Sequence, residues 1–304
     1  MKANTVYILS RDPFVVTGCF ATLEQLRSAA RPFIFLYHNA GWLRPRNLPR
    51  YLSARRAYRG DRRLIVIANE LSEARWLRLF GIESYPISHN IHVREQFFCP
   101  REGVPKRYDA VYSAQLAAFK RLALAKSIPK LCVVTYMNGA QEWNLHDYEP
   151  ALSHAVFNRT FIPPEQVRDI YNASAVGLAL SAKEGAMFAS MEYLMCGLPV
   201  VTTRNRGGRN RYLTPLNSRV VAARPDAVAR AVAAYVASPP DPAAIREETL
   251  GLVHRDRLAY LDILRSRCGV RFESPELEVE RLWGGESGIE KHALSVTEFI
   301  ASQV

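Results

Sequence analysis

The stretch that most restricts what this chain can fold into is residues 176–203, VGLALSAKEGAMFASMEYLMCGLPVVTT. Its apolar run, residues 176–180, has the length and composition of a strand buried on both faces. Ser181, Ala182 and Lys183 lead out of it, and Glu184-Gly185 makes the turn. A helix is then expected to about Cys196, with Met187, Met191, Leu194 and Met195 at helical spacing on its inner face. Gly197 stands where a left-handed C-cap is needed, and Pro199 blocks continuation. Residues 200–203 open the next strand. Strand, helix and strand in this order make a βαβ unit. Its first loop lies at the carboxyl edge of a parallel sheet, where open α/β folds bind ligands.

Glu184 and Glu192 stand eight residues apart. On one continuous helix they would be about 80° out of phase. With Glu184 in the loop and Glu192 inside the helix, both can face the helix N-terminus. The N–H groups of Gly185, Ala186 and Met187, with the positive end of the helix dipole, suit a sugar or phosphate oxygen. Spacing alone points first to an ordinary loop glutamate and a solvated helix glutamate.

The residues around the two acids narrow this. SAKEG followed by MEYLMCGLPVV resembles the E-x7-E region of retaining GT-B glycosyltransferases of family 4 type, roughly EGFG…EAMACGLPVV. The resemblance implies an α/β fold of two Rossmann-like domains with parallel sheets. It implies that Glu184 contacts the transferred sugar and Glu192 the ribose of the nucleotide. SAQLAAFKR resembles the family's GRLxxxKG turn, whose Arg and Lys bind the donor diphosphate. Lys120 matches the Lys, whereas Gln115 stands where Arg is usual and Ala114 where Gly is usual. Gly207-Gly208 resembles the family's glycine turn close to the donor, and Asn90 falls on the Asn of its "vipNGVD" segment. His38, in FLYHNAGW, ends a strand and matches the His that contacts the donor sugar near the acceptor, so it is expected to face the cleft between the domains.

The resemblance thus makes Glu184 and His38 catalytic. Donor binding falls to Lys120, Gln115, Gly185, Ala186, Met187, Phe188, Glu192, Gly207 and Gly208. The implied reaction moves a sugar from a nucleotide-diphosphate donor to a hydroxyl acceptor with retention, the leaving phosphate taking the acceptor proton. Its implied setting is cell-surface glycan or glycolipid synthesis. Two other readings stay open: a member that binds sugar nucleotide or a partner without turnover, favoured by Gln115 and the short first domain, and a nucleic-acid binder, favoured only by the high pI of about 9.6. The second lacks a recognised motif, so no nucleic-acid partner is expected.

A chain of 304 residues holds two domains with ordinary cores. The expected division is an acceptor-side domain at 1–104, a nucleotide-sugar domain at 105–268 and a tail at 269–304, with the polar REGVPKR as linker. The first domain reads as reduced, or as lacking its start, since the family carries further βα units and a glycine-rich loop ahead of its first matching strand. Strands are expected at 5–9, 33–37, 64–68 and 84–87, and helices at 23–30, 71–79 and 116–125; the tail is expected to end in a helix at 289–301 that packs back on the first domain. No stretch approaches the ~20 apolar residues of a membrane span. MKANTVYILSRDP lacks a signal-peptide pattern, and five scattered cysteines without CxxC read as reduced thiols, so a cytoplasmic protein is expected. Without a DxD cluster or a spaced His/Cys set, no metal or cofactor is expected beyond the nucleotide-sugar substrate.

Residues 42–63, WLRPRNLPRYLSARRAYRGDRR, carry Arg44, Arg46, Arg50, Arg55, Arg56, Arg59, Arg62 and Arg63 against Asp61 alone. With Trp42, Leu48, Tyr51, Leu52 and Tyr58 interleaved, a helix from about Pro49 would set apolar residues beside cations. That suits an anionic or lipid-linked acceptor, or peripheral contact with the anionic inner face of a membrane; it equally suits a solvated face whose aromatics pack on the sheet. At about 1 kcal/mol per basic residue near an anionic bilayer, the protein is expected to cosediment with anionic but not neutral liposomes, less so in salt. Changing Arg55, Arg56, Arg59 and Arg62 to Ser should abolish this; equal binding to both liposomes would contradict it.

Overall fold

The computed structural model describes residues 4–26, 32–38, 47–58, 62–136 and 142–301. The chain forms two compact units: Met1–Gln96 with Gly207–Arg211 and Val253–Val304, and Phe97–Arg206 with Tyr212–Leu252.

The first unit opens with β1 (Thr5–Arg11) and β2 (Phe14–Gly18), an antiparallel pair joined at Asp12-Pro13. Then come α1 (Phe20–Gln25), β3 (Ile34–His38), α2 (Leu48–Ala57), β4 (Arg63–Ala68), α3 (Leu71–Leu79) and β5 (Ser84–Pro86). Strands β2 to β5 are mutually parallel. The sequence reading lacked β2. Five residues directly behind a proline turn are too few to show a period of their own. The α1 helix starts before the expected residue 23, and residues 27–31 lie outside the described ones.

Helix α2 settles which way its mixed surface faces. Tyr51, Ala54 and Tyr58 are buried in one core with Phe33, Phe35 and Leu64, while Arg50, Arg55 and Arg56 are exposed. The aromatics therefore pack on the sheet, and in the described part only charge remains to meet a bilayer or an anionic acceptor. Arg44, Arg46 and Arg59 lie outside the described residues.

The second unit holds β6 (Tyr108–Ser113), β7 (Leu131–Val134), α4 (Leu145–Tyr148), β8 (Val156–Phe157), α5 (Pro164–Asn172), β9 (Ser174–Ala179), α6 (Phe188–Met195), β10 (Val200–Thr203), β11 (Ser218–Val221), α7 (Pro225–Ala237) and the start of α8 (Pro242–Cys268). Its sheet is parallel throughout, in the order β11-β10-β9-β6-β7-β8. The chain builds outward from β6 to β8, then returns to lay β9 on the other side of β6. The strand order thus reverses between β6 and β9.

The βαβ unit at β9, α6 and β10 closes tightly. Gly197 caps α6 at φ +73°, where other residues are strained, and Leu198 N–H reaches back to Tyr193 O at 2.9 Å. Gly177 lets the Tyr193 ring lie flat on β9; a Cβ there would sit 2.2 Å from the ring. Two expectations fail here. The helix begins at Phe188, leaving Gly185, Ala186 and Met187 in the loop. Residues 116–125 form two 3-10 turns, Ala118–Lys120 and Leu122–Ala125, because Arg121 between them is left-handed at φ +53°.

From Val253 onward α8 belongs to the first unit, followed by α9 (Pro275–Trp283), a 3-10 turn at Gly288–His292, β12 (Ala293–Ser295) and α10 (Val296–Ala301). Strand β12 pairs antiparallel with β1, which completes the sheet order β12-β1-β2-β3-β4-β5. The single helix expected at 289–301 is instead turn, strand and short helix. Ser295 and Glu298 form a reciprocal capping box (Glu298 N–H to Ser295 Oγ 3.1 Å, Ser295 N–H to Glu298 Oε2 2.8 Å) that starts the helix at Val296. Among the described residues no helix is long and apolar enough to cross a membrane.

One buried cation ties α8 to the chain after β5. Arg257, with a side chain 4% exposed, donates to Ile91 O (2.9 Å), Val93 O (3.1 Å) and both carboxylate oxygens of Glu95 (2.5 and 2.8 Å). Arg257→Met removes the cation but leaves a buried carboxylate and two carbonyls. A loss of about 3–5 kcal/mol in urea unfolding is expected; a loss below about 1 kcal/mol, the worth of an exposed pair, would contradict this account.

Candidate functional site

In an open parallel sheet, ligands bind beyond the carboxyl ends of the strands where the order reverses. In the second unit that place lies between β6 and β9, and the loops leaving these two strands are fastened together. Ala182 N–H donates to Phe119 O at 3.0 Å, and Arg121 Nε donates to Leu180 O at 2.7 Å. The tie between them is ionic: Lys120 Nζ lies 2.5 Å from Glu184 Oε1, with side chains 8% and 14% exposed. Ser181 Oγ donates to the other Glu184 oxygen. The Glu184 backbone is pinned as well, its N–H on Arg206 O at 2.9 Å and its C=O receiving Asn205 Nδ2 at 3.1 Å. Arg121 also donates to Thr203 Oγ1 at 2.6 Å, so its guanidinium braces the strand ends.

Glu192 lies on α6, half-buried, and accepts a hydrogen bond from the Tyr171 hydroxyl at 3.0 Å. That hydroxyl is 2.9 Å from Ser113 Oγ, and Ser113 N–H donates to the Tyr193 hydroxyl at 2.6 Å. Burial, and then the Glu192 charge, hold the Tyr171 hydroxyl well above its ordinary pKa, so it stays a donor. Tyr136, just past β7, is raised first by desolvation and then by the charges of both Glu184 and Glu192. The two acids thus act on one neighbourhood. The N-terminus of α6 has no side-chain cap and no acidic residue in its first turn, so no carboxylate there opposes an anion. Gly185 and Met187 are buried in the loop ahead of it, Ala186 and Phe188 half-buried, and Gln115 half-buried after β6.

The first unit holds the other expected residues. Gly207 has φ +107°, and a Cβ on Gly208 would fall 2.5 Å from Asn69 O, so this turn packs against the end of β4. Bidentate bonds from Arg211 to Asp256, at 2.6 and 2.9 Å, anchor its far side. His38 ends β3 and is 2% exposed. Around it stand His89 and His92, with ring centroids at 5.3 and 4.6 Å, and the Tyr260 hydroxyl at 3.2 Å from Nε2. His89 and His92 sit on a 3-10 turn held by His89 N–H to Asn69 Oδ1 (3.0 Å), by Asn90 N–H to Ser88 Oγ (3.3 Å) and by Arg257. Burial depresses all three rings, His38 to about 3, so they stay neutral.

The sequence reading missed Ser181, Tyr136, Tyr171, His89 and His92. Ser181 stood within SAKEG and Tyr136 at a strand end, where a position-by-position search of the carboxyl edge finds them. The spacing of HNIH was visible too, but nothing local linked it to His38.

Residues 108–250 match the family model described as "Glycosyl transferases group 1". No curated protein matches the chain. Among solved structures, it resembles HepE of Anabaena in complex with UDP (16% identity, 79% of this chain and 73% of that one, TM-score 0.58). It likewise resembles a sucrose-phosphate synthase of Thermosynechococcus elongatus (17%, 80% and 68%, TM-score 0.54). A third is AviGT4, a glycosyltransferase involved in avilamycin A biosynthesis (15%, 83% and 79%, TM-score 0.54). The fold is that of GT-B glycosyltransferases: α/β, with two sheets of largely parallel strands.

Three neutral buried histidines couple folding to pH. The unfolded rings take up protons below about pH 6.5, while the folded ones do not until far lower, His38 at about 3. Stability is therefore full above pH 6.5 and falls as pH drops, by up to about 1.4 kcal/mol per histidine per pH unit. His89→Gln should flatten the fall of the urea midpoint between pH 7 and 5; an unchanged slope would contradict the neutral cluster.

Proposed function

We propose that this chain is a glycosyltransferase that takes a nucleotide-diphosphate sugar, with uridine as its base, and transfers the sugar with retention to a hydroxyl acceptor. The observation that carries the reading is the buried Lys120–Glu184 pair at the strand-order reversal, inside the segment that matches the glycosyltransferase model. Uridine is suggested by neighbours of the same fold whose structures contain UDP or UDP-glucose.

Departure of a nucleoside diphosphate leaves positive charge on the sugar and negative charge on phosphate, so both fragments need stabilising. Lys120 supplies the cation for phosphate, and the positive dipole end of α6, with no acidic residue in its first turn, adds to it. A diphosphate competes with Glu184 for Lys120. Once released, the Glu184 carboxylate is free to accept from sugar hydroxyls, held in place by Ser181 and its pinned backbone. Glu192, oriented by Tyr171, suits the two ribose hydroxyls. His38 is assigned to the donor sugar from the match of FLYHNAGW to the family's strand-end His. In a same-face reaction the leaving phosphate takes the acceptor proton, so the chain supplies position and charge. Gln115 in the usual place of Arg leaves Lys120 with a larger share of the phosphate charge. The exposed Arg50, Arg55 and Arg56 suit an anionic acceptor, lipid-linked acceptors included.

The two glutamates should fail differently. Glu184→Gln should retain UDP binding while turnover of UDP-glucose, as transfer or hydrolysis, falls by about 10²–10³. Glu192→Ala should weaken UDP binding by about 1–3 kcal/mol, the loss of a charged hydrogen bond. Calorimetry and product release check both; two variants that bind and react like wild type would overturn the assignment.

A further inference from the structure

The histidines of the first unit have a fixed proton order. An indole N–H only donates, and Trp283 Nε1 lies 2.8 Å from His92 Nδ1. His92 Nδ1 is therefore the acceptor, and the single proton of that neutral ring sits on Nε2. His92 Nε2 is in turn 3.4 Å from His38 Nε2. A proton on His38 Nε2 would set two N–H groups head to head, so His38 accepts there. The Tyr260 hydroxyl, 3.2 Å from the same nitrogen, fits by donating. His38 then carries its proton on Nδ1, a buried atom with no hydrogen-bond partner among the described residues.

We propose that Trp283 and His92 are positioning residues that lock His38 in the Nδ1–H form, so that it offers a neutral N–H donor to a substrate oxygen. The substrate contact rests on the glycosyltransferase reading above; the tautomer does not. Two consequences follow from the proton order. His38 is a donor rather than a general base, since its one lone pair already faces His92 and Tyr260. His92 is also no metal ligand through Nε2, although nitrogen atoms of His38, His89 and His92 lie within 4.8 Å of one another. A histidine that binds metal through Nε2 donates from Nδ1 to a second partner, and Trp283 cannot accept. The supporting shell is rigid: the Arg257 guanidinium lies 5.1 Å over the Trp283 ring, and Trp283 is 1% exposed.

Long-range ¹⁵N–¹H correlation of the histidine rings in the free protein reads the tautomers directly. The expected spectrum has His38 protonated on Nδ1 and His92 on Nε2, unchanged by micromolar Zn²⁺. Trp283→Phe removes the indole donor, and His38 should then lose its single tautomer. Should that variant not fold, His92 supplies the same test. His92→Gln keeps a donor towards His38 and should keep the Nδ1–H form. His92→Leu leaves only Tyr260, which can donate or accept, and should give a mixture. A proton on His38 Nε2 in the wild type, a Zn²⁺-shifted His38, or His38 unchanged by Trp283→Phe or His92→Leu would overturn the proposal. Adding UDP-glucose separates the two layers. Displacement of the His38 Nδ1–H resonance supports the substrate contact, and saturation without displacement overturns that contact while the tautomer assignment stands.

Discussion

Two opposite charges withdrawn from water, on Lys120 and Glu184, join the loops that leave β6 and β9. Such a pair is a poor source of stability, because desolvating both ions offsets most of their attraction. What it supplies is placement. Parallel strands with reversed order leave a gap at their carboxyl ends. In this gap the pair, the Ala182–Phe119 backbone bond, the Arg121 side chain on Leu180 O and the Ser181 hydroxyl hold a cation and a carboxylate in contact. A ligand carrying phosphates and hydroxyls can take over both partners at once. It needs no rearrangement of the backbone, since Glu184 is fixed through its own N–H and C=O. In the proposed reading, the resting contact is a template for the charge pattern of a sugar diphosphate.

Much of this was legible in the sequence because the signals were local. The apolar run of β9, Gly197 as cap and Pro199 behind it define a βαβ unit within some thirty residues, and its acids stand out at once. What escaped depended on conformations that propensity does not register. Residues 116–125 read as helix because Leu, Ala and Lys favour one, yet Arg121 turns left-handed to brace Leu180 and Thr203, across a sequence distance no local window covers. The Ser295–Glu298 capping box was in plain view, but an apolar pattern from 289 onward masked where its helix began.

The histidine cluster shows the same limit more sharply. Its turn depends on Asn69, Arg257 and Trp283, which come from the end of β4, the middle of α8 and the end of α9. Each contact is simple hydrogen-bond chemistry, but the partners stand far apart in the sequence and meet only in the folded unit. A buried indole donor there governs which imidazole nitrogen bears a proton. Charge pairing in one unit and proton order in the other are thus fixed by the packing that forms each sheet.

A crystal structure with UDP bound tests the central claim most directly. The account predicts Lys120 Nζ within hydrogen-bond distance of a diphosphate oxygen, Glu184 released from it but still bonded to Ser181, and Glu192 facing the ribose. UDP bound elsewhere, with Lys120 still paired to Glu184, would contradict it.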